Sequence, residues 1–136
     1  MFTDRIRNAI MGLMFGRREF ISPAKFYFGI STSDIAKDGS GIIEPSPATG
    51  YKRVEIINSA ATFAVPAEGK VTNLVEIRMN ELNTNCGTAT HYFLSETIGG
   101  NAIMFQKLKP VECRPLPEFS TLYINAGDAV FTWVNQ

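Results

Sequence analysis

The chain has 136 residues, 45% of them hydrophobic and 19% charged, which is too apolar and too weakly charged for a disordered protein. A chain of this length buries roughly 70% of its unfolded surface on folding, so we expect one globular domain with a substantial core. The 13 basic residues balance the 13 acidic ones, and a net charge of zero argues against nucleic acid or an anionic membrane as the main partner.

The first residues predict an amphipathic helix over residues 3–15. Thr3 is suited to the N-cap position, and Gly16 is suited to the C-terminal stop. A helix of about three turns is marginal alone, so its apolar stripe must cover the rest of the chain or a neighbouring subunit. The stripe consists of Ile6, Ile10, Leu13 and Met14.

Arginines and acidic residues alternate around this helix. This mixture favours a solvated helix face over a phosphate-binding stripe, so we predict no nucleic-acid partner. The apolar run AIMGLMF at residues 9–15 is too short to span a bilayer and lacks a signal-peptide cleavage site. We therefore predict a soluble protein with no membrane partner and no export through a signal peptide. The charged residues concerned are Asp4, Arg5, Arg7, Arg17, Arg18 and Glu19.

Residues 26–54 are the most informative passage, because two strand patterns flank a long loop of turn residues. Within the loop, DGSG at residues 38–41 reads as a flexible turn. Glu44 and Pro45 then precede a strand that carries Tyr51 and Arg53. The favoured interpretation is a loop latch in which Glu44 pairs with Arg53 or Lys52, and the alternative is an exposed contact surface.

Period-two patterns separated by short turns predict a mainly β chain. We expect an antiparallel β-sandwich with one N-terminal α-helix, residues 1–20 forming the helical segment and residues 21–136 the β-sandwich, as a single folding unit. About eight strands are predicted, at residues 24–30, 51–57, 62–65, 75–79, 88–95, 102–108, 121–125 and 130–134. The predicted core includes Phe26, Phe28, Val54, Ile56, Val75, Ile77 and Phe93.

Prolines mark a further long loop at residues 109–119, which contains Pro115 and Pro117. Two isolated cysteines, Cys86 and Cys113, lack the spacing of a metal site, and free thiols are the favoured interpretation. Their pairing cannot be decided from the sequence.

No catalytic, cofactor or metal site is predicted. The single histidine, His91, has no recognisable nucleophile or orienting partner, so we interpret it as structural. Three loop carboxylates lack EF-hand spacing. Exposed aromatic residues could still form a sugar-binding platform, and the candidates are Tyr27, Tyr92, Tyr123 and Trp133. The loop carboxylates are Asp34, Asp38 and Glu44.

A series of short motifs along nearly the whole chain resembles a known family. With the N-terminal apolar helix, they make the chain similar to small bacteriophage virion proteins described as tail fibre-like or minor tail proteins. The proline-rich loop and the two cysteines lie outside this pattern. The motifs are YFGIST (27–32), DGSG (38–41), EPS (44–46), GYKRV (50–54), NLVEI (73–77), GGN (99–101) and AGD (126–128).

The resemblance implies a non-enzymatic structural component of a phage virion, in the tail, baseplate or fibre, which is assembled in the host bacterial cytoplasm. Its partners would be other virion proteins, with several copies in a symmetric assembly. A capsid decoration protein and a module that binds host-surface carbohydrate stay open as alternatives. We expect assembly contacts at Ile6, Ile10, Leu13, Met14, Glu44, Pro45, Tyr51, Arg53, Pro115 and Pro117.

Overall fold

The computed structural model describes residues 1–17 and 20–133. Within these residues one helix, α1 (Asp4–Met14), precedes ten strands in antiparallel sheets. The chain is thus mainly β and sandwich-like, as predicted, with ten strands in place of about eight. The strands are β1 (Lys25–Ser31), β2 (Val54–Ile57), β3 (Lys70–Thr72), β4 (Ile77–Arg78), β5 (Thr88–Ala89), β6 (His91–Ser95), β7 (Ala102–Lys107), β8 (Arg114–Pro115), β9 (Tyr123–Ile124) and β10 (Val130–Thr132).

The central sheet contains four strands in the order β2-β1-β6-β7. Strands β1 and β2 flank the loop at residues 32–53, as the sequence predicts. Along the β1–β6 pair, Phe28 lies opposite Leu94 and Gly29 lies opposite Phe93. This register places Phe28 and Leu94 on one face of the sheet and Phe93 on the other.

Both faces of the central sheet are buried. Phe28 and Leu94 belong to the larger core cluster, whereas Phe93 and Phe105 lie in a second cluster with Ile35. The loop between β1 and β2 covers this second face. Strands buried on both faces carry apolar side chains at consecutive positions, which explains why β6 has no clean polar alternation.

Three two-stranded ribbons form the layer over the first face: β3 with β10, β4 with β9, and β5 with β8. They contribute Ile77, Ile124, Ala89 and Phe131 to the larger cluster. Pro115 occupies β8, inside the stretch predicted to be a loop, because a two-stranded ribbon leaves one side unpaired and tolerates a missing N–H. A 3-10 turn at Pro110–Glu112 also lies in this stretch.

Two of the strand predictions need correction. Residues 62–65 form only an isolated bridge between Phe63 and Asn73. Val75 is exposed, although it was predicted to be in the core, because β4 begins only at Ile77. Val54 is partly buried, and the other predicted core residues are buried. Val134, at the end of the last predicted strand, lies outside the described residues.

The start of the chain extends the sheet beyond β7. Phe2 forms a bridge with Met104, and the Thr3 N–H donates to the Ile103 carbonyl. Thr3 is the N-cap of α1, as predicted, but its Oγ1 donates to the same Ile103 carbonyl at 3.0 Å and does not cap the helix. These bonds attach the N-terminal end of α1 to the sheet. No helix among residues 1–17 and 20–133 is both long and apolar enough to cross a bilayer.

Candidate assembly surfaces

An ion pair between Glu44 and Arg53 closes the loop between β1 and β2. The Glu44 Oε1 lies 2.8 Å from Arg53 Nε and 2.5 Å from Arg53 Nη2. Only 8% of the Arg53 side chain is exposed, whereas Lys52 is exposed. The latch interpretation is therefore confirmed, with Arg53 as the basic partner.

The same guanidinium connects the loop to the turn after β6. Its Nη1 donates to Ser95 Oγ at 2.8 Å, to the Gly100 carbonyl at 2.7 Å and to the Thr97 carbonyl at 3.2 Å. The guanidinium carbon lies 4.8 Å from the centre of the Phe93 ring. Arg53 thus uses both its hydrogen-bonding fork and its planar face inside the fold.

Tyr51 is buried beside this ion pair. Its hydroxyl accepts a hydrogen bond from the Ile30 N–H at 3.1 Å. Burial raises the pKa of Tyr51, and the nearby Glu44 carboxylate raises it further. Gly29 makes room for this arrangement, because a Cβ there would lie 2.3 Å from the Phe93 ring and 2.8 Å from the Tyr51 hydroxyl.

The DGSG turn is packed, which corrects the prediction of a flexible turn. Asp38 Oδ1 accepts bonds from the Ser40 hydroxyl at 2.6 Å and the Ser40 N–H at 3.0 Å, and these bonds lower the pKa of Asp38. Gly39 has φ +88°, and a Cβ there would lie 2.0 Å from the Ala102 carbonyl oxygen. The turn is therefore a fixed contact between the loop and β7.

A second convergence of motifs occurs at the buried Asn73. Its Oδ1 accepts bonds from the N–H groups of Gly127 and Ala129 at 3.1 and 3.0 Å. Its Nδ2 donates to the carbonyls of Val75 and Asn125 at 2.8 and 3.0 Å. The amide uses both donors and accepts two bonds, so it fixes the segment before β4 to the turn before β10.

The motifs that carry the family resemblance therefore meet one another inside the fold. EPS, GYKRV and GGN converge at Arg53, and NLVEI and AGD converge at Asn73. Their contacts with one another hold the loops in place. The assembly contacts expected at Glu44, Pro45, Tyr51 and Arg53 stay predictions, and two of these residues, Tyr51 and Arg53, are buried within the chain.

The apolar stripe of α1 is buried at one end and exposed at the other. Ile6 is buried, and Ile10 packs partly against the larger core cluster. Leu13 and Met14 are exposed. The helix thus meets the rest of the chain with its first half and leaves its second half open to solvent.

A groove of about 840 Å³ lies beside this helix. Trp133 lines it and stacks at a tilt on Phe2, with 5.3 Å between the ring centroids. Lys70 is the only charged residue among the described residues that line it. Neither periodicity nor motif spacing predicts this groove, although the run ATFAVP at residues 61–66, which is largely apolar, contributes to its wall. Its walls include Ile10, Phe20, Phe26, Phe63, Val65 and Val71.

Pro115 and Pro117 are both exposed at the β5–β8 ribbon and do not line the groove.

The register of the β5–β8 ribbon separates the two cysteines. Thr88 pairs with Pro115 and Ala89 with Arg114, so Cys113 falls opposite residue 90, four positions from Cys86. Four steps span roughly 13 Å, whereas a disulfide needs Cα atoms within about 7 Å. Both thiols are free, as favoured from the sequence.

His91 is buried on the second face of the sheet. Its Nδ1 lies 2.8 Å from Thr90 Oγ1, and its Nε2 lies 3.6 Å from Asp34 Oδ1. Burial lowers the pKa of His91, while Asp34 raises it and Lys107 lowers it. The ring lies next to Phe105, which agrees with a structural histidine.

The comparison with known families covers nearly the whole chain. A family model described as podophage GP4 fiber I protein gp80 matches residues 1–131. A search of curated proteins found no match. The matched segment includes α1, strands β1 to β9, the first two residues of β10 and both motif convergences. The match confirms the resemblance to phage tail fibre-like proteins. The chain therefore belongs to the family of the podophage GP4 fiber I protein gp80, a family of phage fibre proteins.

Proposed function

We propose that this chain is a non-enzymatic structural subunit of a phage tail fibre, or of an adaptor associated with the fibre or baseplate. It acts by binding other virion proteins and is present in several copies in a symmetric assembly. The observation that carries the proposal is the family match over residues 1–131, since a fibre protein is a virion component. The family description also favours the tail over capsid decoration.

The placement of polar and apolar groups supports an assembly role. Arg53 and Asn73 hold long loops in fixed positions through several hydrogen bonds each. Rigid loops lower the entropy cost of forming a protein interface. The open groove and the exposed end of α1 then provide apolar surface that a neighbouring subunit can cover.

The surroundings of His91 argue against a role as a catalytic base. A general base must reach a proton on its substrate, and His91 is buried with its Nδ1 at Thr90. The carboxylate of Glu44 is engaged by Arg53, and that of Asp38 by Ser40. Both carboxylates therefore stabilise the loop between β1 and β2.

The candidate aromatic residues do not form one sugar platform. Tyr92 is buried, which corrects its assignment to a contact surface, and Tyr27 is half-buried. Tyr123 is 40% exposed, and the guanidinium of Arg78 occupies one face of its ring, 4.7 Å from the ring centre. Trp133 stacks on Phe2 beside the apolar groove. A sugar site needs an exposed aromatic face with convergent polar groups, so a protein partner is the better fit.

The helix arginines do not favour nucleic acid or a membrane surface. Arg7 pairs with Asp4 within α1, and Arg5 lies 3.1 Å from Glu96. Arg18 and Glu19 lie outside the described residues.

We place the assembled protein in the virion and its assembly in the host bacterial cytoplasm.

The decisive experiment is to locate the chain in purified phage particles. Mass spectrometry of the particle and cryo-electron microscopy of its tail should place the chain at the tail, with symmetry that fixes its copy number. Density on the capsid surface would overturn the tail assignment in favour of decoration. Absence from intact particles would overturn the proposal itself.

A binding assay tests the carbohydrate alternative separately. The purified chain is applied to an array of host polysaccharides, next to Tyr27→Ala and Trp133→Ala variants whose folding is checked by melting temperature. We expect no saturable binding. Saturable binding that either substitution abolishes without loss of fold would replace protein assembly by glycan recognition.

A further inference from the structure

A second cleft, of about 590 Å³, lies at the end of β7. It is lined by the last residues of that strand, by the 3-10 turn that follows and by residues of β10. We call it the β7 cleft. Among the described residues it shares no lining residue with the apolar groove beside α1, so the two are separate surfaces.

The β7 cleft carries more positive than negative charge. Two lysines, Lys107 and Lys109, and one carboxylate, Glu112, are the charged side chains among the described residues that line it. Glu112 is already engaged, since its Oε1 accepts the Lys109 N–H at 2.9 Å. The Met1 amine adds little charge at neutral pH, because burial lowers its pKa to about 5. On a chain of zero net charge, this cleft is therefore a local site for an anion.

Both lysines are available to a ligand. Lys107 Nζ lies 3.8 Å from Asp34 Oδ1, and the two side chains are 72% and 85% exposed. Pairs as exposed as this contribute about 0–1 kcal/mol, so a ligand carboxylate can take the place of Asp34 with little loss. Lys109 is exposed, and no ion pair joins it to the residues that the structure describes.

The side chain of Gln106 adds an oriented hydrogen-bond donor to the cleft. Its Oε1 accepts the Val130 N–H at 2.9 Å, which fixes the amide between β7 and β10. Its Nε2 has no acceptor among the described residues. An amide donor beside two ammonium groups suits a carboxylate, whose two oxygens accept several hydrogen bonds at once.

The apolar part of the lining favours a peptide over an acidic sugar. Phe105 and Leu108 are each 6% exposed, and no tyrosine or tryptophan lines the cleft within the described part of the chain. A sugar ring would lack an exposed aromatic face on which to stack. Pro110 on the cleft wall and Val111 beside it are exposed, so an aliphatic side chain can pack there. A peptide that carries Asp or Glu next to an apolar residue presents both chemistries.

We propose that the β7 cleft binds an acidic segment of another virion protein, with a carboxylate at Lys107, Lys109 and Gln106 and an apolar side chain against Pro110 and Val111. The inference deepens the assembly function argued above and rests on it. Charge complementarity identifies the occupant, because two ammonium groups and an amide donor converge at the cleft. A different protein is favoured over a second copy, since most carboxylates of this chain have partners within it.

The first test follows the backbone amide signals of the full chain by NMR during titration with synthetic peptides. The acidic peptide is acetyl-Glu-Leu-Glu-Leu-amide, and the neutral control has Gln in place of each Glu. We expect the acidic peptide to shift the signals of residues 105–112 and of Val130. It should bind about tenfold more tightly than the neutral peptide and lose affinity at high salt, because the ion pairs are exposed.

Substitutions of single charges test the cleft residues. Lys107→Gln and Lys109→Gln should each raise the dissociation constant of the acidic peptide by about two- to fivefold. Lys52→Gln removes the same charge outside the cleft and should have no effect. Glu112→Gln keeps an oxygen for the Lys109 N–H but removes the negative charge of the cleft, so it should lower the dissociation constant. All four side chains are exposed, so melting temperatures should stay unchanged.

Zero-length cross-linking in purified particles identifies the partner. A carbodiimide joins a lysine amine to a carboxylate as an amide and takes up the water that is lost, so it reports direct contacts. We expect cross-links from Lys107 or Lys109 to an Asp or Glu of another virion protein. In the isolated chain, a cross-link between Lys107 and Asp34 shows that the reagent reaches the cleft.

The inference is wrong if both peptides cause equal shifts, if Lys109→Gln and Lys52→Gln have equal effects, or if particles give no cross-link from the cleft to another protein. Glucuronate that binds more tightly than the acidic peptide would make the cleft a sugar site. Cross-links only to a second copy would make it a contact between copies. If the chain is present in particles but the cleft gives no cross-link, this inference fails while the proposed function stands.

Discussion

Arg53 pairs with Glu44 at 2.5 Å while 8% of the Arg53 side chain is exposed, so the pair lies inside the fold. Replacing Arg53 by Met should lower the free energy of unfolding by about 3–5 kcal/mol, because it leaves a partly buried carboxylate without its partner. The acceptors at Ser95 and Gly100 would also lose their donor. Chemical denaturation followed by circular dichroism measures this loss.

The chain contains a matched control for this prediction. Lys25 and Glu55 form an ion pair whose side chains are both about half exposed. Exposed pairs contribute about 0–1 kcal/mol, so Lys25→Met should change the unfolding free energy by no more than that. Equal losses for Arg53→Met and Lys25→Met would contradict a structural role of the latch.

Gly39 should be intolerant of a side chain. Gly39→Ala brings a Cβ to 2.0 Å from the Ala102 carbonyl oxygen, and the backbone already has φ +88°. Gly127 has the same φ but no atom within 4 Å of an added Cβ. Gly127→Ala therefore reports the backbone strain alone. We expect Gly39→Ala to cost about 1–3 kcal/mol more than Gly127→Ala in denaturant unfolding.

Phe28 lies at the centre of the larger core cluster and is fully buried. Phe28→Ala should cost about 3–5 kcal/mol of unfolding free energy, because it removes apolar contacts and leaves a cavity. Phe119→Ala removes the same atoms from an exposed position and keeps the Cβ, so it should change stability by less than about 0.5 kcal/mol. A loss below about 1 kcal/mol for Phe28→Ala would mean that neighbouring side chains move in and fill the cavity.

The long apolar strands could be predicted from the sequence, whereas short ribbon strands could not. β1, β6 and β7 carry enough β-branched and aromatic residues to be recognised. β8 has two residues, one of them proline, and such a pair has no measurable periodicity. Val75 was assigned to the core because alternation cannot reveal that β4 starts only at Ile77.

Contacts of Arg53 with residues close to it in the sequence could also be predicted, whereas its contacts with residues far away in the sequence could not. Glu44 and Arg53 are nine residues apart in the loop that leads back to the sheet at β2. Their opposite charges and short separation in the sequence are enough to predict the pairing. The bond from Arg53 to the Gly100 carbonyl spans 47 residues and depends on the β1–β6 register. The groove likewise joins α1, residues 58–66 and Trp133, which only the folded chain brings together.

Stability should decrease as the pH falls below neutrality, in part through His91. Burial lowers the pKa of this imidazole in the folded state, and the facing Asp34 and Lys107 act in opposite directions. The unfolded chain then binds a proton near the ordinary pKa of about 6.5, while the folded chain does not. The contribution is complete above that pKa and is lost as the pH drops through it, at no more than about 1.4 kcal/mol per pH unit.

His91→Gln isolates this contribution, because the other titrating groups are common to both proteins. Unfolding free energies of the wild type and the variant are measured between neutral pH and mildly acidic pH. The wild type should lose more stability over this interval than His91→Gln. Parallel pH profiles would show that His91 is protonated equally easily in the folded and unfolded chain.

We propose that residues 1–20 and 21–136 form one folding unit, because Phe2, Thr3 and Ile10 connect α1 to the sheet. Ile10→Asp should then lower the unfolding free energy by about 2–4 kcal/mol, because it places a charge against the core. Met14→Asp, on the exposed end of the same stripe, should change it by less than about 0.5 kcal/mol.

Two spectroscopic probes show whether the helix and the sheet unfold together. Helical circular dichroism follows α1, and the fluorescence of Trp133, the single tryptophan, follows its contact with Phe2. One folding unit requires coincident transitions by both probes in the wild type and in Ile10→Asp, with the variant shifted to lower denaturant. Loss of the helical signal before the tryptophan signal would instead divide the chain into a detachable helix and an independent β domain.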